Sequence, residues 1–147
     1  MEIEFRNVAG QRFETGLAAF LEPELAAGRR AVVLCGTRER LEALNLGLWT
    51  YDPASFLPHG SEADGHAERQ PVYLTLAEEN PNAASLLVMI DDAEAAAPEA
   101  FEKCSILFDR NDPAVRDAAR ARWRNCLAAG HTPVYWEFSA QGWRKNG

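Results

Sequence analysis

Several groupings in this chain hold side chains capable of chemistry. The apolar run Leu87-Val88-Met89-Ile90 leads into Asp91-Asp92, a pattern in which a carboxylate at a strand end can hold magnesium against a nucleotide. Such a site also needs a phosphate cradle of the form GxxxxGKS, GxxxxGKT or GxGxxG, and none occurs; the loop from Gly10 to Gly16 contains no lysine. The alternative is a carboxylate that caps a helix. The loop His59-Gly60-Ser61-Glu62-Ala63-Asp64-Gly65-His66-Ala67-Glu68 gathers two histidines and three carboxylates, ligand types that suit zinc. Its spacing matches no compact pair such as HExxH, and a solvated loop with incidental histidines is the simpler reading. Cys35, Cys104 and Cys126 sit in or beside apolar runs, which fits core packing. No serine stands in a GxSxG turn. These groups compose no active site, and no cofactor or metal is expected.

Two other groupings are suited to recognition. Arg116, Arg120 and Arg124 follow one another at four-residue steps. On a helix each step drifts only about 40°, so the three form one stripe, with Trp123 and Leu127 along the same side. Guanidinium groups beside an aromatic side chain suit an anionic peptide carrying an apolar anchor. The alternative is a solvated basic face with Trp123 turned into the core. Arg122 falls inside the apolar arc of Val115, Ala119, Cys126 and Ala129, and the spacing gives no account of it. The second grouping runs from Leu48 to His59, where Trp49, Tyr51, Phe56 and Leu57 cluster around a helix end. Such a cluster is either core or a protein-binding hot spot.

The elements that must position these groups alternate along the chain. Ile3, Phe5 and Val8 open a strand. Phe13, Leu17, Phe20, Leu21 and Leu25 recur at helical steps, with Pro23 expected to kink or divide that helix and Gly28 to stop it. Ala31 to Cys35 reads as a strand buried on both faces. Thr37 caps a helix running to about Trp49, and Phe56-Leu57-Pro58 reads as a short strand. Further strands are expected at Val72 to Ala77, Leu86 to Ile90, Ser105 to Phe108 and Val134 to Phe138. Ala93 to Lys103 leans toward a short or irregular helix, and Asp112-Pro113 starts one that ends near Ala129. This order implies an α/β fold, an open and mainly parallel sheet with helices on both faces. One domain over 1–138 is expected, followed by a mobile polar tail, 139–147.

Composition narrows the function. A chain of 147 residues and 16.3 kDa suits one domain, and 47% apolar with 25% charged residues excludes wholesale disorder. The longest apolar runs fall far short of the ~20 residues needed to span a bilayer, and the N-terminus lacks the features of a secretory signal. An odd number of cysteines without CxxC spacing argues against a disulfide framework or a zinc ribbon and is compatible with a reducing cytoplasm. The net charge of −7 disfavours direct binding to duplex DNA. That charge is uneven: residues 62–102 hold ten acidic side chains and one basic, residues 103–147 eight basic and four acidic. Any anionic partner is therefore expected at the C-terminal end, unless the sign merely varies over a solvated surface.

The run Leu48-Trp49 through Ser55-Phe56-Leu57-Pro58-His59-Gly60, with Gln70-Pro71-Val72-Tyr73-Leu74 and the arginine-rich last helix, resembles the chi subunit of bacterial DNA polymerase III. The resemblance covers essentially the whole chain. It implies a Rossmann-like sheet without a nucleotide site, in an accessory subunit with no active site of its own that serves a DNA-directed DNA polymerase, a nucleotidyltransferase. It also implies two partners. One is the acidic, phenylalanine-terminated C-terminal tail of single-stranded DNA-binding protein, on Arg116, Arg120, Trp123 and Arg124 with Tyr135 nearby. The other is the psi subunit, which links to the clamp loader, on Trp49, Phe56, Leu57 and Pro58. Here arginine and tryptophan stand where lysine and tyrosine can occur in that family.

Overall fold

Side chains of an extended segment alternate between its two sides, and in β1 (Glu2–Asn7) every residue after Glu2 is buried. Ile3 and Phe5 face one way, Glu4 and Arg6 the other, so this strand must lie inside a sheet covered on both faces. The computed structural model describes residues 2–50 and 57–146 and provides that sheet. Its other strands are β2 (Ala31–Leu34), β3 (Gly60–Ser61), β4 (Val72–Thr75), β5 (Leu86–Ile90), β6 (Lys103–Phe108), β7 (Val134–Ser139) and β8 (Gly142–Asn146). They lie in the order β3-β4-β2-β5-β6-β1-β7-β8. All neighbours run parallel except β7 and β8, which form an antiparallel hairpin. The single-domain, mainly parallel α/β sheet expected from the sequence is the fold observed.

Helices α1 (Phe13–Ala26) and α2 (Arg38–Thr50) cover one face. Leu17, Leu21, Leu44 and Leu48 pack there against Val33, Val88, Ile90 and Leu107. Burying a leucine side chain fully contributes about 1.5–3 kcal/mol, so four of them anchor both helices. Thr37 caps α2, its hydroxyl accepting from Arg40 N at 3.1 Å. Pro23 does not divide α1: it forfeits the hydrogen bond that its N–H would give to the carbonyl one turn back, yet the helix continues to Ala26. Gly28 follows in the left-handed region.

Helix α3 (Pro113–Ala128) lies on the other face, over a core of Phe5, Val32, Leu34, Met89, Ile106 and Phe108. Asp112 caps it by accepting from Ala114 N and Val115 N at 3.2 and 3.4 Å. Of the residues expected to face the sheet, Ala119 is buried, Val115 and Cys126 are half-buried, and Ala129 is exposed at the helix end.

Three expectations change. The short strand placed at Phe56-Leu57-Pro58 falls instead at Gly60–Ser61, with Leu57 and Pro58 in irregular backbone and Phe56 outside the described residues. The segment Ala93 to Lys103 keeps a single 3-10 turn, Pro98–Ala100, before β6 begins at Lys103. The presumed polar tail is largely β8. It is held because Trp143 packs on Phe138, with ring centroids 5.0 Å apart, and its indole N–H donates to Gly16 O at 2.9 Å.

Candidate functional site

Ala119 is small, so α3 can approach the sheet closely there, and Trp123 one turn later reaches over β1. Its indole meets the ring of Phe5 edge-on, with centroids 5.1 Å apart. Beside this contact, between α3 and Tyr135 on β7, opens a cavity of about 260 Å³. Phe5 and Phe108, both buried, form its floor; Trp123 and Tyr135 form walls; Arg110, Arg116 and Arg120 stand at its mouth. Small-molecule sites usually measure roughly 300–1,000 Å³, so this space fits one inserted aromatic side chain better than a dinucleotide.

The guanidinium groups at the mouth are loosely held. Arg110 donates to Glu137 at 3.1 Å and Arg116 to its neighbour Asp117 at 3.2 Å. Exposed pairs of this kind contribute only about 0–1 kcal/mol, so an incoming carboxylate can compete for these arginines. Arg120 has no carboxylate partner among the described residues. Beneath them lies Asn7, whose side-chain NH2 donates to the Tyr135 hydroxyl at 2.8 Å.

The structure thus brings Arg116, Arg120, Trp123 and Tyr135 together. Arg124 is exposed and does not line the cavity; two steps of drift carry it about 80° around the helix from Arg116, away from the sheet. Arg110 was missed by sequence reasoning. Its signals were its membership of the basic C-terminal third and its place just before the helix start. Arg122 now has an explanation: it reaches across the apolar face and donates to Ala93 O at 3.0 Å, with Glu94 3.6 Å away. It ties α3 to the loop after β5.

The residues of the second grouping divide. Trp49 is 51% exposed on α2, one turn from Leu46 at 67%, and Pro58 is exposed. Leu57 is wholly buried in the core, so it anchors this segment and cannot itself be a contact for a partner on this surface. Phe56 lies outside the described residues. His59 is buried, its ring held between the carbonyl oxygens of Leu57 and Asn45 (2.7 and 3.2 Å), with the Trp49 ring tilted against it at a centroid distance of 4.6 Å.

The remaining chemical groupings disperse. Asp91 accepts from Arg40 at 2.9 Å, and that guanidinium lies over Phe13. Burial pushes the Asp91 carboxyl upward, with Arg40 opposing it. Burial also raises the thiols of Cys35 and Cys104 to about 12, which leaves them protonated and inert as nucleophiles. Among the described residues no cluster of three or more His, Cys, Asp or Glu side chains is placed to hold a metal. No helix among them is long and apolar enough to cross a membrane.

Comparisons with known proteins bear on this geometry. A family model described as DNA polymerase III chi subunit, HolC, matches residues 1–134, a span that includes all of α3 and stops one residue before Tyr135. A curated relative from Rickettsia prowazekii (strain Madrid E), described as probable DNA polymerase III subunit chi, is 33% identical over 90 residues. That match takes in 61% of this chain and 54% of the relative; the chain spans about half the length of the curated relative it matches.

Proposed function

This chain belongs to the DNA polymerase III chi subunit family, and from that premise we propose that it is a non-catalytic adaptor acting at the replisome in the bacterial cytoplasm. Its cavity between α3 and β7 receives the acidic, phenylalanine-terminated tail of single-stranded DNA-binding protein. Its α2 surface around Trp49 meets the psi subunit and through it the clamp loader. DNA is met only through these partners.

The observation that carries the reading is a cavity sized for one aromatic ring with three guanidinium groups at its mouth. The terminal ring enters against Trp123 and Phe5, gaining burial and edge-to-face contact. The terminal carboxylate and the acidic side chains before it pair with Arg110, Arg116 and Arg120. Each exposed pair adds only about 0–1 kcal/mol and is screened by salt, so one tail holds weakly. The many tails on a coated DNA strand raise the effective affinity.

Calorimetric titration with a tail peptide tests this. Binding that weakens with salt, falls in Trp123→Ala and Arg120→Ala, and disappears when the terminal phenylalanine is removed supports the reading. Affinity unchanged in both variants rejects the site.

A further inference from the structure

Asn7 is fully buried at the end of β1, a costly place for an amide unless its polar atoms find partners. One end of its side chain accepts from two backbone groups, Ala9 N at 2.9 Å and Arg110 N at 3.1 Å. Backbone N–H groups can only donate, so that end is the carbonyl oxygen and the other is NH2. The NH2 lies 2.8 Å from the Tyr135 hydroxyl, which must therefore accept. A phenol carries a single proton, and here that proton is not used in the bond to Asn7. Among the described residues no acceptor takes it, and Tyr135 lines the cavity. The same Asn7 oxygen holds the backbone of Arg110, whose side chain stands at the mouth.

We infer that Asn7 is a positioning residue that makes the cavity read a free chain terminus. It compels the Tyr135 hydroxyl to present its proton as a donor and sets Arg110 beside it, so that two donors converge on one carboxylate. A phenylalanine inside a chain offers a neutral carbonyl and brings a further N–H donor, which these groups do not match. This specificity rests on the tail reading above, since it concerns the end of the same ligand.

The experiment compares two labelled peptides by fluorescence anisotropy, an acidic peptide ending in phenylalanine with a free carboxylate and the same peptide as its C-terminal amide. The wild-type protein is expected to prefer the carboxylate by about tenfold, the size of one hydrogen bond to a charged group. In Asn7→Asp the new carboxylate accepts the tyrosine proton, and the preference should fall to about twofold or less. Tyr135→Phe should remove the preference to the same extent, and Asn7→Asp should remove nothing more in that background. A new negative charge acting by simple repulsion would still weaken binding in the Tyr135→Phe background, and that result overturns the inference. Tyr135→Phe alone also decides the matter if Asn7→Asp does not fold: an intact carboxylate preference in it overturns the inference while leaving the tail reading standing. Failure of the wild type to bind either peptide removes the tail reading itself.

Discussion

Phe5 and Trp123 meet with their ring planes at 68°, a contact that makes one indole both a core residue and the wall of a cavity. Its inner edge belongs to the apolar layer above the sheet, and another part lines the space beside Tyr135. The two roles can be separated by substitution.

Trp123→Ala is expected to lower stability by about 2 kcal/mol, less than the 3–5 kcal/mol of a fully buried aromatic, and to weaken tail-peptide binding at least tenfold. Trp123→Phe restores most of the stability and part of the binding. Urea denaturation and peptide titration on the same samples measure both quantities.

The arginine stripe should divide along the line the cavity draws. Arg120→Ala is expected to change stability by less than about 0.5 kcal/mol, to weaken peptide binding about threefold and to reduce its salt dependence. Arg124→Ala, outside the lining, should alter binding less than twofold at about the same ionic strength. Equal effects of the two at several salt concentrations would count against the cavity as the docking point.

On the opposite face of β1, the Glu4 carboxylate accepts from Arg6 at 2.9 and 3.2 Å and from the Ser105 hydroxyl at 2.8 Å, all buried. The Arg6 guanidinium is further enclosed by Phe20 and Trp136, at 3.8 and 4.4 Å. Glu4→Ala leaves that cation buried without its main partner and should cost about 3–5 kcal/mol. Thermal or urea unfolding checks this.

The Glu24 carboxyl offers a pH test. Burial pushes it up from its ordinary value of 4.5, but hydrogen bonds and charge from Arg29 and Lys103 outweigh burial and bring it below that value. A carboxyl lowered in the folded state contributes stability above its unfolded value, and that contribution is lost as pH falls through the folded one. Glu24→Gln should therefore be less stable than wild type at pH 7, with the gap closing in acid. Urea midpoints measured from neutral pH downward give the comparison, and a constant gap would show that the charge is not responsible.

Trp49→Ala, at an exposed position on α2, should change stability by less than about 1 kcal/mol. If psi docks on this surface, the same variant should lose co-purification with psi while keeping tail-peptide binding. Leu57→Ala, by contrast, empties a wholly buried site and should cost about 2–5 kcal/mol, so loss of psi binding in it would report folding rather than contact.

Much of this was legible in the chain. The apolar runs at Ala31–Leu34 and Leu86–Ile90, the Thr37 and Asp112 caps and the Pro113 start are local signals, and each landed within a residue or two. The tail strand was not legible: Gly142–Asn146 carries one large apolar side chain, and its pairing with β7 and the contacts of Trp143 with Phe138 and Gly16 hold it in the sheet. Leu57 looked like part of an interaction cluster because composition does not distinguish a buried leucine from an exposed one.

The sequence by itself determined the class of sheet, the helix bearing the arginine stripe and the sign of the charge at that end. Hydrophobic period, capping and charge are properties of neighbouring residues, and they survive without knowledge of the fold. Only the tertiary structure decided that Arg110 joins the mouth of the cavity, that Arg124 stands outside it and that Trp123 is shared with the core. It alone placed Asn7 under Tyr135, residues 128 positions apart. Such contacts depend on how strands order themselves across the sheet, and no local pattern encodes that distance.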